Sequence, residues 1–320
     1  MYRIVVFRGE ENPDYAVLND RLIQYGKTIG YDVIVFPEAG YDVSAAQKEL
    51  KGAAAVVLGP GLSGALLTFL PYIRETCILV RYCEMEPARQ KWIGSHQIID
   101  LSLRCLEAEG RAELALTLIL ALKRKLIRHN QQLLEGKWIT HVASETTAAT
   151  VGIVGAGPDG HILKGYLEGL GCNVISCEEN EKPECGCSGR DAAKTVEGVF
   201  AEADIVSVHR NGSAHDISLI SSKLFALMKP HAVLIDTGCP LTVDLEALYT
   251  VLKERRIEAA ALDCFDRNEI PADSPLLDLH NLIVTPHISG KTRETLWKVD
   301  RHMLDVLKRE MKEQIQEQGR

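Results

Sequence analysis

The chain has 320 residues, with 36 Lys and Arg against 44 Asp and Glu for a formal net charge of −8. That length allows two domains of ordinary size. With 46% hydrophobic and 25% charged residues it has the composition of a soluble globular protein rather than a disordered one, and without a Lys/Arg cluster it argues against a nucleic-acid partner.

The N-terminus enters a strand pattern at once (Arg3 to Arg8), with no signal peptide, so a cytoplasmic protein is expected. A helix from about Tyr15 to Thr28 and a strand from Tyr31 to Phe36 follow. Ala53 to Gly59, Cys77 to Cys83 and Gln97 to Leu101 are further β-like runs. Strands alternating with helices imply a parallel sheet, so residues 1 to about 101 read as a first α/β unit. A long helix is expected from Arg111 to about Leu134, ended by Gly136-Lys-Trp138. Its apolar face runs through Leu114, Leu118, Leu122 and Leu126, as core or dimer interface rather than a ligand site. The most apolar run, 114–122, is far short of the ~20 residues that span a bilayer, so no membrane partner is expected.

At Val151-Gly-Ile-Val-Gly155-Ala-Gly157-Pro-Asp-Gly160 a strand runs into a G-x-G-x-x-G turn and then a helix, His161 to Leu170. The first glycine permits the tight turn, the second lets backbone approach a pyrophosphate, and the third lets helix pack close to strand. The helix N-terminus offers N–H groups and a positive dipole end to phosphates. A strand, Cys172 to Cys177, ends at Glu178, 23 positions after Gly155, where a ribose-binding carboxylate belongs. A glycine turn alone is weak evidence; the strand, helix and acid around it make this a dinucleotide fold. Further strands are Ile205 to Val208, Val233 to Asp236, Ala259 to Leu262 and Leu282 to Val284. A last amphipathic helix runs from Thr292 to about Lys312, with a fraying tail from Glu313.

Nine cysteines, mostly in apolar segments and without a disulfide-framework spacing, suggest packed thiols in a reducing compartment. Cys185-Gly-Cys187 lies in a polar loop and reads as surface thiols, ahead of a redox pair or a metal site.

Several stretches taken together resemble the NAD-dependent D-2-hydroxyacid dehydrogenase family: Arg111-Ala-Glu-Leu-Ala, Gly136-Lys-Trp138, the glycine turn, Ala203-Asp-Ile-Val-Ser-Val-His209, Leu227 to Thr237, Ala261-Leu-Asp263-Cys-Phe, Ser274 to Leu282 and Thr285-Pro-His287-Ile-Ser-Gly. The match covers roughly residues 105 to 290. It implies an α/β fold of two Rossmann-like domains with parallel sheets: a flavodoxin-like substrate domain (1–101 plus 288–320) and an NAD-binding Rossmann domain (102–287). It also implies a homodimer acting on a small-molecule substrate.

The family's chemistry needs an arginine to grip the substrate carboxylate, a histidine as acid/base and a carboxylate to hold that histidine. His287 fills the histidine position. Cys239 stands where the arginine is expected, after Asp236-Thr237-Gly238, and Asn268 where the carboxylate is expected, with Glu269 beside it. The glycine-rich substrate loop is replaced by Val80-Arg-Tyr-Cys-Glu-Met-Glu86. Losing a charge-assisted bidentate contact costs on the order of 3 kcal/mol, a hundredfold in rate, so ordinary 2-hydroxyacid dehydrogenation is not expected. Arg81 is a substitute anion clamp or an ordinary solvated arginine; Cys239 is a thiol nucleophile or a small filler; His287 is the acid/base or only a retained residue.

On the cofactor side, Gly155, Gly157 and Gly160 would receive the pyrophosphate, and Glu178 would take the adenosine ribose hydroxyls and repel a 2′-phosphate, which favours NAD over NADP. Asp263 matches the family position for the nicotinamide carboxamide, beside His287. Thr237 and Gly238 line the same side, and His209 and Arg210 border the adenine side. Pro158 and Asp159 replace a basic-then-aliphatic pair, and a carboxylate there repels pyrophosphate if it points inward. Three readings stay open: an NAD-dependent oxidoreductase with an altered substrate, a catalytically silent NAD(H)-binding sensor or partner-binding protein, and non-redox chemistry through Cys239.

Overall fold

The computed structural model describes residues 1–8, 13–36, 42–58, 70–83, 92–93, 96–103, 105–155, 157–177, 194–210, 217–238, 241–263 and 270–318. The chain forms two compact units, Met1–Leu106 with Arg293–Arg320, and Glu107–Thr292. The boundaries expected at 101/102 and 287/288 each lie five residues earlier.

The first unit opens with β1 (Tyr2–Phe7), α1 (Pro13–Thr28), β2 (Tyr31–Phe36), α2 (Val43–Leu50), β3 (Ala53–Leu58), β4 (Ile78–Cys83), β5 (Trp92–Ile93) and β6 (His96–Ser102). The sheet order is β2-β1-β3-β4-β6-β5, parallel except where β5 pairs with β6. Strands such as Ala53-Ala-Ala-Val-Val-Leu58 are apolar almost without interruption because helices cover both faces of a parallel sheet. β5 was not expected; two residues are too few to leave a periodic signal.

The second unit begins with α3 (Ala108–Lys123) and α4 (Leu126–Leu134). One helix was expected over this stretch. The chain breaks at Lys125, whose φ is +52°. Tertiary contacts hold the break: Ser144 N–H donates to the Lys123 carbonyl, and Lys125 Nζ lies 3.3 Å from Glu258 Oε1. Leu114, Leu118 and Leu122 pack into the core on α3, while Leu126, beyond the break, is exposed.

Next come β7 (Thr150–Val154), α5 (Pro158–Gly169), β8 (Asn173–Cys177), α6 (Val196–Glu202), β9 (Ile205–Val208), α7 (Ser222–Phe225), β10 (Val233–Asp236), α8 (Leu245–Lys253), β11 (Ala259–Leu262) and β12 (Leu282–Val284). They form one all-parallel sheet ordered β12-β11-β10-β9-β7-β8, with a core cluster on each face. The order reverses beside β7, and in open α/β sheets ligands bind outside the carboxyl ends of the strands at such a switch point.

The last helix, α9 (Arg293–Gln318), returns to the first unit and covers its sheet with Val299, Met303, Leu304, Leu307 and Met311. It continues past Glu313 to Gln318, where fraying was expected; Glu and Gln are good helix formers that carry it on. Among the described cysteines, Cys77, Cys172 and Cys177 are buried free thiols, whereas Cys105 is in a disulfide, which the cysteine spacing did not suggest.

Candidate functional site at the carboxyl edge of the second sheet

β7 ends at Val154 and turns through Gly155, whose φ of +117° excludes an L side chain. A Cβ there would lie 2.5 Å from the His209 carbonyl oxygen. Gly157 is the N-cap of α5, makes no side-chain cap, and is followed by Pro158 at the first helical position. At Gly160 a Cβ would lie 2.9 Å from the Gly155 carbonyl oxygen and 3.3 Å from Ile153 Cγ2, so the third glycine seats the helix against the strand. These approaches are the ones a dinucleotide turn requires. Nearby, the Thr237 hydroxyl is buried with no partner among the described residues, a polar atom that suits a bound ligand. The edge therefore fits a dinucleotide.

Asp159 does not face outward. It is buried, and His209 Nδ1 lies 2.8 Å from its Oδ2, while His209 Nε2 lies 2.9 Å from Ser207 Oγ. Burial alone would raise the Asp159 pKa, but the charge and hydrogen bond of His209, the charge of Arg111 and its own backbone N–H outweigh it and hold the carboxyl below the usual range. The same three residue types make the nucleophile relay of hydrolases. Ser207 is fully buried within β9, so no substrate reaches its hydroxyl. Neither Ser207 nor the Asp159–His209 pair stood out in the sequence; the available signal was an acid inside a glycine turn, which when buried needs a partner.

Across the edge, Asp236 ends β10 and Asp263 follows β11. Asp263 is fully buried and accepts three hydrogen bonds from one short segment: Thr285 Oγ1 at 2.6 Å and Ile288 N–H at 2.9 Å on Oδ1, and Ser289 N–H at 2.9 Å on Oδ2. Within that segment His287 has φ +53°, and its N–H donates to the Thr285 carbonyl. A non-glycine residue in the left-handed region costs about 1–3 kcal/mol unless its surroundings impose it; Asp263 is what imposes it. The segment continues to Gly290, where a Cβ would lie 2.6 Å from Oε1 of Glu107, itself paired with Arg111 on α3. Gly238 N–H donates to Asp236 Oδ1, and a Cβ on Gly238 would lie 2.9 Å from the Arg210 carbonyl oxygen.

Among the described residues of this edge, Asp236 has its pKa strongly raised, to about 7. Burial is the main cause and Asp263 adds to it, while the Gly238 N–H and His209 oppose it.

The edge thus brings together Gly155, Gly157, Pro158, Asp159, Gly160, His209, Arg210, Thr237, Gly238, Asp263 and His287. Arg81 belongs to the other unit, on β4 opposite Leu58 and Asp100. Glu178, Cys185, Cys187, Cys239, Asn268 and Glu269 lie outside the described residues. No group of three or more His, Cys, Asp or Glu among the described residues could hold a metal.

Comparison with known proteins bears on this geometry. A family model described as D-isomer specific 2-hydroxyacid dehydrogenase, NAD binding domain, matches residues 116–289. A glyoxylate reductase of Korarchaeum cryptofilum is 30% identical over 197 residues, 58% of each chain. The match spans less than two thirds of the first curated relatives, 58% of that reductase and 35% of a D-3-phosphoglycerate dehydrogenase of Archaeoglobus fulgidus. The structure of D-2-hydroxyisocaproate dehydrogenase superposes with a TM-score of 0.77 at 21% identity, covering 95% of this chain and 94% of that one, a likeness of fold.

Proposed function

Because the chain belongs to the D-isomer specific 2-hydroxyacid dehydrogenase family through its NAD-binding domain, we propose that it is an NAD-dependent oxidoreductase with an atypical active site, acting on a small hydroxy or oxo compound other than an ordinary 2-hydroxy acid. The observation that carries this reading is the His287 turn, a left-handed residue fixed by three hydrogen bonds to one buried carboxylate. Strain of that kind collects where a side chain must be aimed.

NAD, when bound, accepts or supplies the hydride. Gly155, Gly157 and Gly160 shape the turn that receives its pyrophosphate, and Glu178 takes the adenosine ribose. Thr237, Gly238 and Asp263 border the reactive end. His287 donates or removes the proton of the substrate oxygen, work worth about 10²–10⁴-fold in rate for a positioned imidazole. With Cys239 in the arginine's position the substrate is not gripped there through a carboxylate, and the left-handed turn at His287 sets where its imidazole starts from.

A second reading, NAD(H) binding without turnover, is favoured by the same Cys239 substitution. NADH titration followed by turnover on a panel of 2-oxoacids and non-carboxylate carbonyls separates the two. The oxidoreductase reading expects one carbonyl class to be reduced and His287→Ala to lower kcat by about 10²-fold or more with NADH still bound. Tight NADH binding with no turnover on any carbonyl, or a His287→Ala variant as active as the parent, sinks it.

The protein is further proposed to be a homodimer through α4 and the segment after it. Leu134, Trp138 and Val142 are 80%, 86% and 92% exposed in the isolated chain, with Leu126 and Leu133 exposed beside them. Apolar side chains gathered to that extent mark an interaction surface.

A further inference from the structure

His209 lies against the glycine turn at three points. Its carbonyl lies under Gly155, its Cβ is 3.5 Å from where a Cβ would stand on Gly160, and its ring reaches Asp159 in the first turn of α5. That first turn is where a dinucleotide's phosphates are drawn by the helix dipole, so a carboxylate free to face outward there would repel them. We propose that His209 is the positioning residue of the glycine turn: its Nδ1–H holds the Asp159 carboxylate inside the unit and makes a dinucleotide site compatible with an acid between its second and third glycines.

Ser207 completes the device. Its hydroxyl both donates and accepts, so it satisfies Nε2 whether that nitrogen bears a proton or not, and leaves Nδ1–H aimed at Asp159. Among the described residues two other titratable groups face the pair, of which the Arg111 guanidinium favours an inward carboxylate. Arg111 approaches Asp159 from α3, and Asp236 at the end of β10 faces His209. On α5 itself, His161 Nδ1 is 3.1 Å from the Gly157 carbonyl oxygen and so engages the helix backbone. The inference rests on the reading that this edge binds NAD.

The test uses the full-length chain and NADH, followed by fluorescence and calorimetry, with thermal melting in parallel. His209→Gln places its amide near the Nε2 position and loses the donor to Asp159; His209→Asn keeps a donor near Nδ1. His209→Gln is expected to weaken NADH binding about tenfold, His209→Asn to recover most of that loss, and Asp159→Asn added to His209→Gln to restore affinity, because no carboxylate is left to release. Asp159→Asn alone is expected to tighten binding roughly two- to threefold by removing a negative charge from beside the phosphates. Should His209→Gln not fold, that single variant decides, and unchanged or weaker binding overturns the proposal. A folded His209→Gln that binds NADH like the parent, or a double variant that stays weak, overturns it as well. A parent chain that binds no NADH removes the NAD reading and this inference together; a parent that binds while the variants do not differ removes only the inference.

Discussion

Asp236 ends β10, buried, and a protonated carboxyl has the shape of an amide. Its pKa near 7 means that the fold holds the proton more tightly than the unfolded chain does. No penalty exists below the ordinary carboxylate range. As pH rises from about 4 through about 7 the unfolded carboxyl ionises first, and stability falls by an amount on the order of 4 kcal/mol at most. Asp236→Asn keeps the oxygen that accepts from Gly238 N–H. It is therefore expected to melt higher than the parent at pH 8 and about equally at pH 4. Denaturant titrations across that range check it, and parallel curves for the two proteins would show that Asp236 ionises normally. Asp263 and Asp159 are buried carboxylates too, but each has strong partners, three hydrogen bonds for one and His209 with Arg111 for the other. Which acid finds which partner is not written in the neighbouring residues: Asp159 and His209 are 50 positions apart.

Among the elements, the strands and the glycine turn were legible because their signals are local. A buried parallel strand is an apolar run, and a turn at φ +117° against a carbonyl accepts only glycine. The helices were less so. Nothing in Lys123-Arg-Lys-Leu126 announces the break between α3 and α4, which a hydrogen bond from Ser144 and an ion pair with Glu258 impose. The amphipathic pattern of α9 shows that it buries a face but not which sheet receives it. Its placement is fixed by Asp300, fully buried and ion-paired with Arg8 at the end of β1, while Arg8 Nε also donates to Asn19 on α1 at 2.9 Å. Removing one member of a buried pair leaves the other charge uncompensated, at about 3–5 kcal/mol. Asp300→Ala is expected to lose that much stability in urea unfolding followed in the first unit; a loss below about 1 kcal/mol would mean that apolar packing alone seats the helix.

For the whole molecule, the dimer proposal makes the sharpest demand. Replacing Trp138 and Val142 by Asp puts charge among the exposed apolar side chains of this segment. Light scattering should then report the 35.3 kDa chain mass in place of twice that value, with the melting temperature of the monomer little changed because neither side chain is part of a core. A variant that remains a dimer would place the subunit contact elsewhere.

Periodicity, composition and the glycine turn determined that this is an α/β protein with parallel sheets and a dinucleotide-binding unit, and the motif order through Thr285-Pro-His287 determined its family. Those are properties of residues near one another in the chain, where strand alternation, turn geometry and helix packing leave local marks. The tertiary structure alone decided that Asp159 turns inward to His209, that Asp263 is occupied in bending the His287 segment, and that Asp236 keeps a proton to near neutral pH. Each depends on burial and on partners brought together from separate strand ends, and neither the dielectric around a carboxylate nor the direction of its hydrogen bonds exists until the sheet has formed.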